Sequence, residues 1–424
     1  MHNKKIAIAA WCMYDWACAS FSIIVTTFIF ATYFTSSIAV NHIEGTYQWA
    51  NASSLAGIIM ALSSPIFGAV ADYSGKHKRW LFFFTWICVI FTALLWFACP
   101  TPRSAFFTLT CFVIATVGYE VSQVFYNAFL PSLASSRTYL GRISGWGWGS
   151  GYLGGIIALT IALLFFVKGD HHWLNTNTAE QIRINGPFVA LWYAVFSLPL
   201  FFLVPSFSKT HRSLPKAISM GLRELSSTLK KLPKEKHILL YLFSRMIYTD
   251  GLNTLFAFGG IYAAGTFGLT FEEVLLFGIT MNITAGIGAI ALGWIDDYFG
   301  SKKTVILSLI FLTVLGIPLL LVHQKYLFWA TALLLCIFVG PVQSASRSLM
   351  VHLIADKQNS AEMFGLYALS GRVTAFIGPW VLGITTLTFN SQRAGMATLL
   401  VFFVVGGLML LPVKFDQVSD KKSD

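Results

Sequence analysis

Asp15 and Asp250 stand inside long apolar runs, where a carboxylate is costly and faces either a cavity or a cationic partner. Asp15 follows Lys5 by ten residues, about 15 Å along a helix, and Asp250 follows Lys236 by fourteen, about 21 Å. Each has a tyrosine beside it, in Tyr14-Asp15 and in Tyr248-Thr249-Asp250. Asp15, Tyr14 and Asp250 are therefore expected to line a cavity that binds a cationic group, a coupling proton, or both. The alternative is that each carboxylate is neutralised by a structural partner such as Arg245 or Arg372. Arg372, nine residues after Met363 and about 14 Å deep, offers a bidentate fork for a carboxylate. Asn253, Gln343 and Ser344 can add neutral contacts. Glu120, Arg142 and Arg347 lie toward the ends of their runs and are expected to form an inter-helix ion-pair network, either static or opening and closing.

The elements that must carry these groups follow from the apolar runs. Hydrophobic residues make up 56% of the 424, charged residues only 11%, and mean hydropathy is +0.69, far from the balance of a water-soluble domain. Runs of roughly 20 apolar residues, each long enough to cross a bilayer as a helix, succeed one another. The first six are Ala9 to Ile38, Trp49 to Val70, Trp80 to Ala98, Ala105 to Leu130, Ile143 to Val167 and Phe188 to Val204. The other six are His237 to Ala264, Val274 to Ile295, Val305 to Val322, Leu327 to Met350, Phe364 to Phe389 and Met396 to Leu411. Continuous apolar stretches favour helices over a barrel, whose strands alternate.

Most of the 29 Lys/Arg fall at the N-terminus, in the even-numbered connections and in the C-terminal tail. The opposite side has only Arg103, Lys168, Arg183, Lys325 and Arg393, so both termini are expected in the cytoplasm. The net charge of +11 reflects that asymmetry rather than nucleic-acid binding. The first run is too long for a cleavable signal and is expected to remain in the protein.

The chain also repeats itself. Gly68, Asp72 and Gly75, followed by Lys76, Lys78 and Arg79, recur as Gly293, Asp297 and Gly300, followed by Lys302 and Lys303, at an offset of 225 for the Gly, Asp and Gly positions. Gly141, Gly147 and Gly154 recur as Gly365, Gly371 and Gly378 at 224. Residues 1–204 and 237–413 are thus expected to be two six-helix halves in the same orientation, joined by residues 205–236 and followed by a tail, 414–424. The connecting stretch is basic, and Ala217 to Leu232 has amphipathic spacing suited to a surface helix.

The loop Gly68-x-x-x-Asp72-x-x-Gly75-Lys76-x-Lys78-Arg79 resembles the signature loop of the major facilitator superfamily. Further stretches resemble its vacuole-effluxer-like family: Trp11 to Ala17, Tyr126-Asn127-Ala128-Phe129-Leu130-Pro131, Gly141-Arg142-Ile143-Ser144-Gly145, Asp250-Gly251-Leu252-Asn253-Thr254, Gly340-Pro341-Val342-Gln343 and Ser346-Arg347-Ser348. Where that family reads Asp-Trp-Ala-Asn-Ser, this chain has Asp15-Trp16-Ala17-Cys18-Ala19. The resemblance implies an all-α membrane protein of twelve transmembrane helices, the major facilitator fold. It also implies secondary transport by rocking of the two halves, with the loop as a cytoplasmic lock. Mixed acidic and basic groups suit a zwitterionic solute, and the resemblance points to amino acids or similar polar metabolites.

Other readings are weaker. All nine histidines lie in loops or near run ends, so no intramembrane nucleophile with a base is visible and no enzyme is expected. His171 and His172 are expected to be solvated. Cys12, Cys18, Cys88, Cys111 and Cys336 lie in runs and Cys99 at a run end, without metal or disulfide spacing. Gly149-Ser150-Gly151-Tyr152-Leu153-Gly154 matches a dinucleotide fingerprint only as a string, because no strand precedes it. Gly147, Gly151 and Gly155 instead suit close helix packing. Gly340-Pro341 and Gly378-Pro379 are expected bending points. Neither cofactor nor metal is expected, and the partners are a small-molecule solute and the bilayer, with the protein a monomer.

Overall fold

The computed structural model describes residues 2–134, 139–167, 174–205, 214–354 and 360–414. His171, His172 and the tail beyond residue 414 lie outside them. Helix α1 (His2–Ser20) continues through π-helical turns and α2 (Ile29–Tyr33) as one apolar stretch, Lys4–Ile38. Then come α3 (His42–Ser74), α4 (His77–Ala93), α5 (Ala105–Ala128), the short α6 (Leu130–Leu133), α7 (Leu140–Ile161), the short α8 (Glu180–Arg183) and α9 (Asn185–Leu203). After α10 (Leu214–Lys231) follow α11 (Lys236–Phe267), α12 (Phe271–Phe299), α13 (Ser301–Leu321), α14 (Lys325–Leu353), α15 (Ser360–Ser370), α16 (Ile377–Phe389) and α17 (Gln392–Leu410). Among the described residues, ten helical stretches are long and apolar enough to cross a membrane, which makes this a multi-pass integral membrane protein.

The run Phe364 to Phe389, expected as one helix, is two. Residues 371–376 between α15 and α16 are held by three-residue turns, Gly371 N–H to Ala368 O at 3.1 Å and Ile377 N–H to Thr374 O at 2.8 Å. Pro379 supplies no N–H to the carbonyl of Ala375, and its ring opposes a helical turn there. By contrast, α14 runs unbroken through Gly340-Pro341.

Among the described residues, helices from the two ends of the chain pack most extensively as α3 on α15, α7 on α12, α7 on α14, and α5 on α15. The turns that end α3 and α12 need a residue with positive φ, supplied by Gly75 (66°) and Gly300 (90°). They leave Asp72 and Asp297 in the last turn of each helix, facing the partner helix.

Candidate functional site

The two repeated aspartates do the same job on different partners. Asp72, with only 5% of its side chain exposed, accepts from Ala361 N–H at 3.1 Å and Glu362 N–H at 2.7 Å, and His77 Nε2 lies 2.6 Å away. It therefore caps the first turn of α15, where free N–H groups and the positive end of the helix dipole favour an anion. Asp297, 3% exposed, accepts from Gly141 N–H at 2.8 Å and Arg142 N–H at 3.3 Å, capping α7, and pairs with Arg142 Nε at 2.6 Å. Close approach is possible because Gly68 faces the Ala361 backbone and Gly293 faces Gly141, where an added Cβ would stand 3.0 Å from the carbonyl oxygen. In the basic run Lys76 to Arg79 of the loop expected to act as a cytoplasmic lock, Lys76 and Arg79 place no side-chain bond among the described residues. Lys78 does so instead, donating to Val204 O at 2.5 Å at the end of α9. Lys302 donates to Leu411 O at 2.6 Å and Val413 O at 2.8 Å at the end of α17.

Further in, Arg347 of α14 reaches across to α1, α5 and α7. Its Nη1 donates to Asp15 Oδ2 and to Asn127 Oδ1, both at 3.2 Å. Its Nη2 donates to Ser144 O at 2.6 Å and its Nε to Ser144 Oγ at 2.9 Å. The guanidinium lies over the rings of Trp11 (4.7 Å), Tyr126 (5.7 Å) and Trp148 (5.7 Å). Tyr126 OH donates to Asp15 Oδ2 at 2.7 Å. Gly147 makes the room: a Cβ there would come within 2.8 Å of Arg347 Nη2 and Asp15 Oδ2. Asp15 thus has a basic partner, but it is neither Arg245 nor Arg372.

A second pair spans the same interface one level further along α5. Glu120, six residues before Tyr126 and so about 9 Å from it along the helix, pairs with Arg372 in the 371–376 segment. Arg372 is 43% exposed and Glu120 16%, against 3% for Arg347. Arg372 is thus more exposed than Arg347, although Arg142, at the Asp297 end, is also 32% exposed. Glu120, Arg142 and Arg347, expected as one network, are in three separate pairs: with Arg372, with Asp297 and with Asp15. Gln343 accepts from Tyr152 OH at 2.8 Å across α7 and α14, and Asn253 is half-buried on α11.

Tyr14 and Asp250 are not where the sequence put them. Tyr14 is fully buried among α1, α4 and α9, with its hydroxyl 2.6 Å from Thr85 Oγ1 and 2.9 Å from Tyr193 Oη. Adjacent helical residues point about 100° apart, so Tyr14 turns away when Asp15 faces α14. Asp250, 2% exposed, accepts from Gly378 N–H at 2.9 Å and so caps the start of α16. Five residues earlier on α11, Arg245 donates to Tyr367 O at 2.6 Å and Ser370 Oγ at 2.8 Å, holding the end of α15. One helix thus supplies a cation to the carbonyl end and an anion to the N–H end of a broken neighbour, as the two dipoles require. Asp250 Oδ1 is buried with no hydrogen-bond partner among the described residues.

Sequence reasoning assigned no role to His77, Lys302, Trp11, Tyr126, Asn127, Ser144 or Trp148. Tyr126-Asn127 and Ser144 lay in motifs already noted, but nothing local to them signals a guanidinium. Among the described residues, no group of three or more His, Cys, Asp or Glu is arranged to hold a metal ion.

Helices from the two ends of the chain, bridged by buried charged groups, make a fold that solved membrane transporters share. FucP, a Major Facilitator Superfamily transporter solved in the outward conformation, superposes with a TM-score of 0.72 at 14% identity, covering 96% of this chain and 98% of that one. The proton:xylose symporter XylE superposes at 0.73 and 11% identity, covering 98% and 96%. The sequence profile of the family described as "Vacuole effluxer Atg22 like" matches residues 49–422, and the chain belongs to that family of major facilitator transporters. It is 24% identical over 415 residues to the uncharacterized MFS-type transporter YxiO of Bacillus subtilis, covering 97% of this chain and 95% of that protein. It is 23% identical over 296 residues to autophagy-related protein 22-1 of Neosartorya fischeri, a match covering 64% of this chain and 48% of that relative. The match thus takes in about half of the fungal protein's length.

Proposed function

We propose that the protein is a proton-coupled secondary transporter of a small zwitterionic solute, an amino acid or a similar metabolite, working by alternating access between two six-helix halves. In this reading α11 and the broken α15–α16 pair complete twelve spans, and residues 205–236 join the halves. The termini face the cytoplasm of an inner-membrane-type bilayer, and the monomer is the working unit. Asp72 and Asp297 form the cytoplasmic gate. The greater exposure of Arg372 than of Arg347 supports a cavity that opens on the Arg372 side.

The observation that carries the substrate reading is the Glu120–Arg372 pair, two opposite charges facing each other across the interface in a partly open site. Arg372 receives the solute carboxylate in place of Glu120, and Glu120 is freed to receive the solute's ammonium group. Asp250, with one buried oxygen unpartnered and no cation in ion-pair contact among the described residues, carries the coupling proton. Its neutralisation loosens the start of α16 and with it the segment that holds Arg372.

The test is solute flux in proteoliposomes under an imposed proton gradient, across amino acids, peptides, nucleosides, siderophores and sugars. Accumulation or release of amino acids, accelerated by the gradient, is the expected result. Binding without flux across the whole panel would instead identify a receptor on this scaffold, and flux of sugars alone would discard the zwitterion.

A further inference from the structure

Among the described residues, the groups that hold the Arg347 guanidinium belong to α1, α5 and α7: the Asp15 carboxylate, the Asn127 amide oxygen, both oxygens of Ser144, and the rings of Trp11, Tyr126 and Trp148. These groups are also braced to one another without Arg347. Tyr126 OH orients Asp15 Oδ2 at 2.7 Å, Trp11 Nε1 donates to Tyr126 O at 3.0 Å, and Ser150 Oγ donates to Cys12 O at 2.8 Å. Trp11 and Tyr126 stack with centroids 4.5 Å apart, and Tyr14 stacks on the same Tyr126 ring at 5.0 Å. Glycine at position 147 keeps one wall open. The arrangement is therefore a preformed receptor whose occupant happens to be attached to another helix.

We infer that this enclosure is a cation-binding site for a guanidinium or primary ammonium group, occupied in the present conformation by Arg347 and available to a free cation once α14 moves away. The inference rests on the alternating-access reading for its role in transport. The chemistry of the site does not depend on it. When α14 withdraws, Asp15 would be left as a largely buried carboxylate without its counter-charge, which is strongly unfavourable. A free cation of the same shape restores both the ion pair and the contacts with the aromatic faces, the combination that recognises organic cations elsewhere. Arg347 then serves as a tethered competitor, and its return expels the cation. A guanidinium suits the site best, because two flat forks of N–H groups meet Asp15, Asn127 and Ser144 in different directions.

The experiment uses the full chain with Arg347→Ala, which empties the site, and ethylguanidinium chloride as the probe, with sodium chloride as the ionic-strength control. Ethylguanidinium at low millimolar concentration should raise the melting temperature of the variant saturably by several degrees and change its tryptophan fluorescence. The wild type should show neither effect, because Arg347 fills the site. The response should vanish in Arg347→Ala/Asp15→Asn. Arg347→Gln, which keeps a polar group near Ser144, provides the same titration if the alanine variant does not fold. No saturable response in either variant, or an equal response without the Asp15 carboxylate, overturns the inference. The source of the cation is read from wild-type proteoliposomes. Ethylguanidinium competing from the solute's side assigns the site to the solute's own cationic group, and acceleration from the opposite side assigns it to a counter-transported cation. Absence of any flux would count against the transporter reading while leaving the binding result on the variant intact.

Discussion

Replacing Asp72 by Asn keeps the side-chain shape but removes the charge that caps α15. Asn retains one oxygen to accept from Ala361 N–H, while its amide nitrogen meets Glu362 N–H donor to donor where a 2.7 Å bond stood. A hydrogen bond to a charged group contributes about 1.5–3 kcal/mol. Asp72 is 5% exposed, so little of that is screened by solvent. At 1.4 kcal/mol per tenfold, the open state on this face should gain roughly ten- to a hundredfold in population. Spin labels at Arg79 and Lys303, both exposed at the starts of α4 and α13, report the separation by double electron–electron resonance. The wild type should give mainly the short distance, and Asp72→Asn a second, longer component. Asp297→Asn should act alike, because Asp297 caps α7 in the same way, and the double variant should add, since the two caps share no partner. An unchanged distance distribution in the double variant would refute the gate.

Gly147→Val should lower the melting temperature by the equivalent of about 1–3 kcal/mol, because its Cβ would lie 2.7 Å from the Trp11 ring; Gly57→Ala, with nothing within 4 Å, is the control. In flux assays Arg372→Ala should abolish uptake of a carboxylate-bearing solute, whereas Glu120→Gln should raise KM for a zwitterion and spare a carboxylate that has no ammonium group. Asp250→Ala should cost about 0.5–2 kcal/mol through the lost cap on α16, while Asp250→Asn, which keeps an oxygen to accept from Gly378 N–H, should make uptake independent of the proton gradient. Bonds from Lys325 and from Thr270 hold the Glu273 carboxyl below its ordinary value of 4.5. Because the folded value is depressed, its stabilisation is present above that pH and lost as pH falls through the folded value, so Glu273→Gln should remove a small part of the acid sensitivity measured by thermal melting.

Hydropathy alone located the ten described stretches long and apolar enough to cross a membrane, because each helix must satisfy its own backbone in lipid and so needs an uninterrupted apolar segment. Repeat spacing marked Asp72 and Asp297 as equivalent, and each caps a helix from the other end of the chain. The cost of burying charge singled out Asp15, Asp250, Glu120, Arg347 and Arg372 before any partner was known. The partners were a different matter. Arg347 and Asp15 are separated by 332 residues, and no periodicity within either helix relates them. Lys78 rather than Lys76 or Arg79 anchors its loop, since the choice depends on where α9 ends in space. Tyr14 and Asp15 are neighbours in the chain and both touch Tyr126, but the Tyr14 hydroxyl bonds α4 and α9 while Asp15 pairs with α14, and Asp250 turned out to hold a helix start that exists only because α15–α16 is broken. The sequence by itself determined which residues were too costly to leave alone in a membrane. Tertiary structure decided which charge answers which, because that depends on how helices distant in the chain meet across the interface.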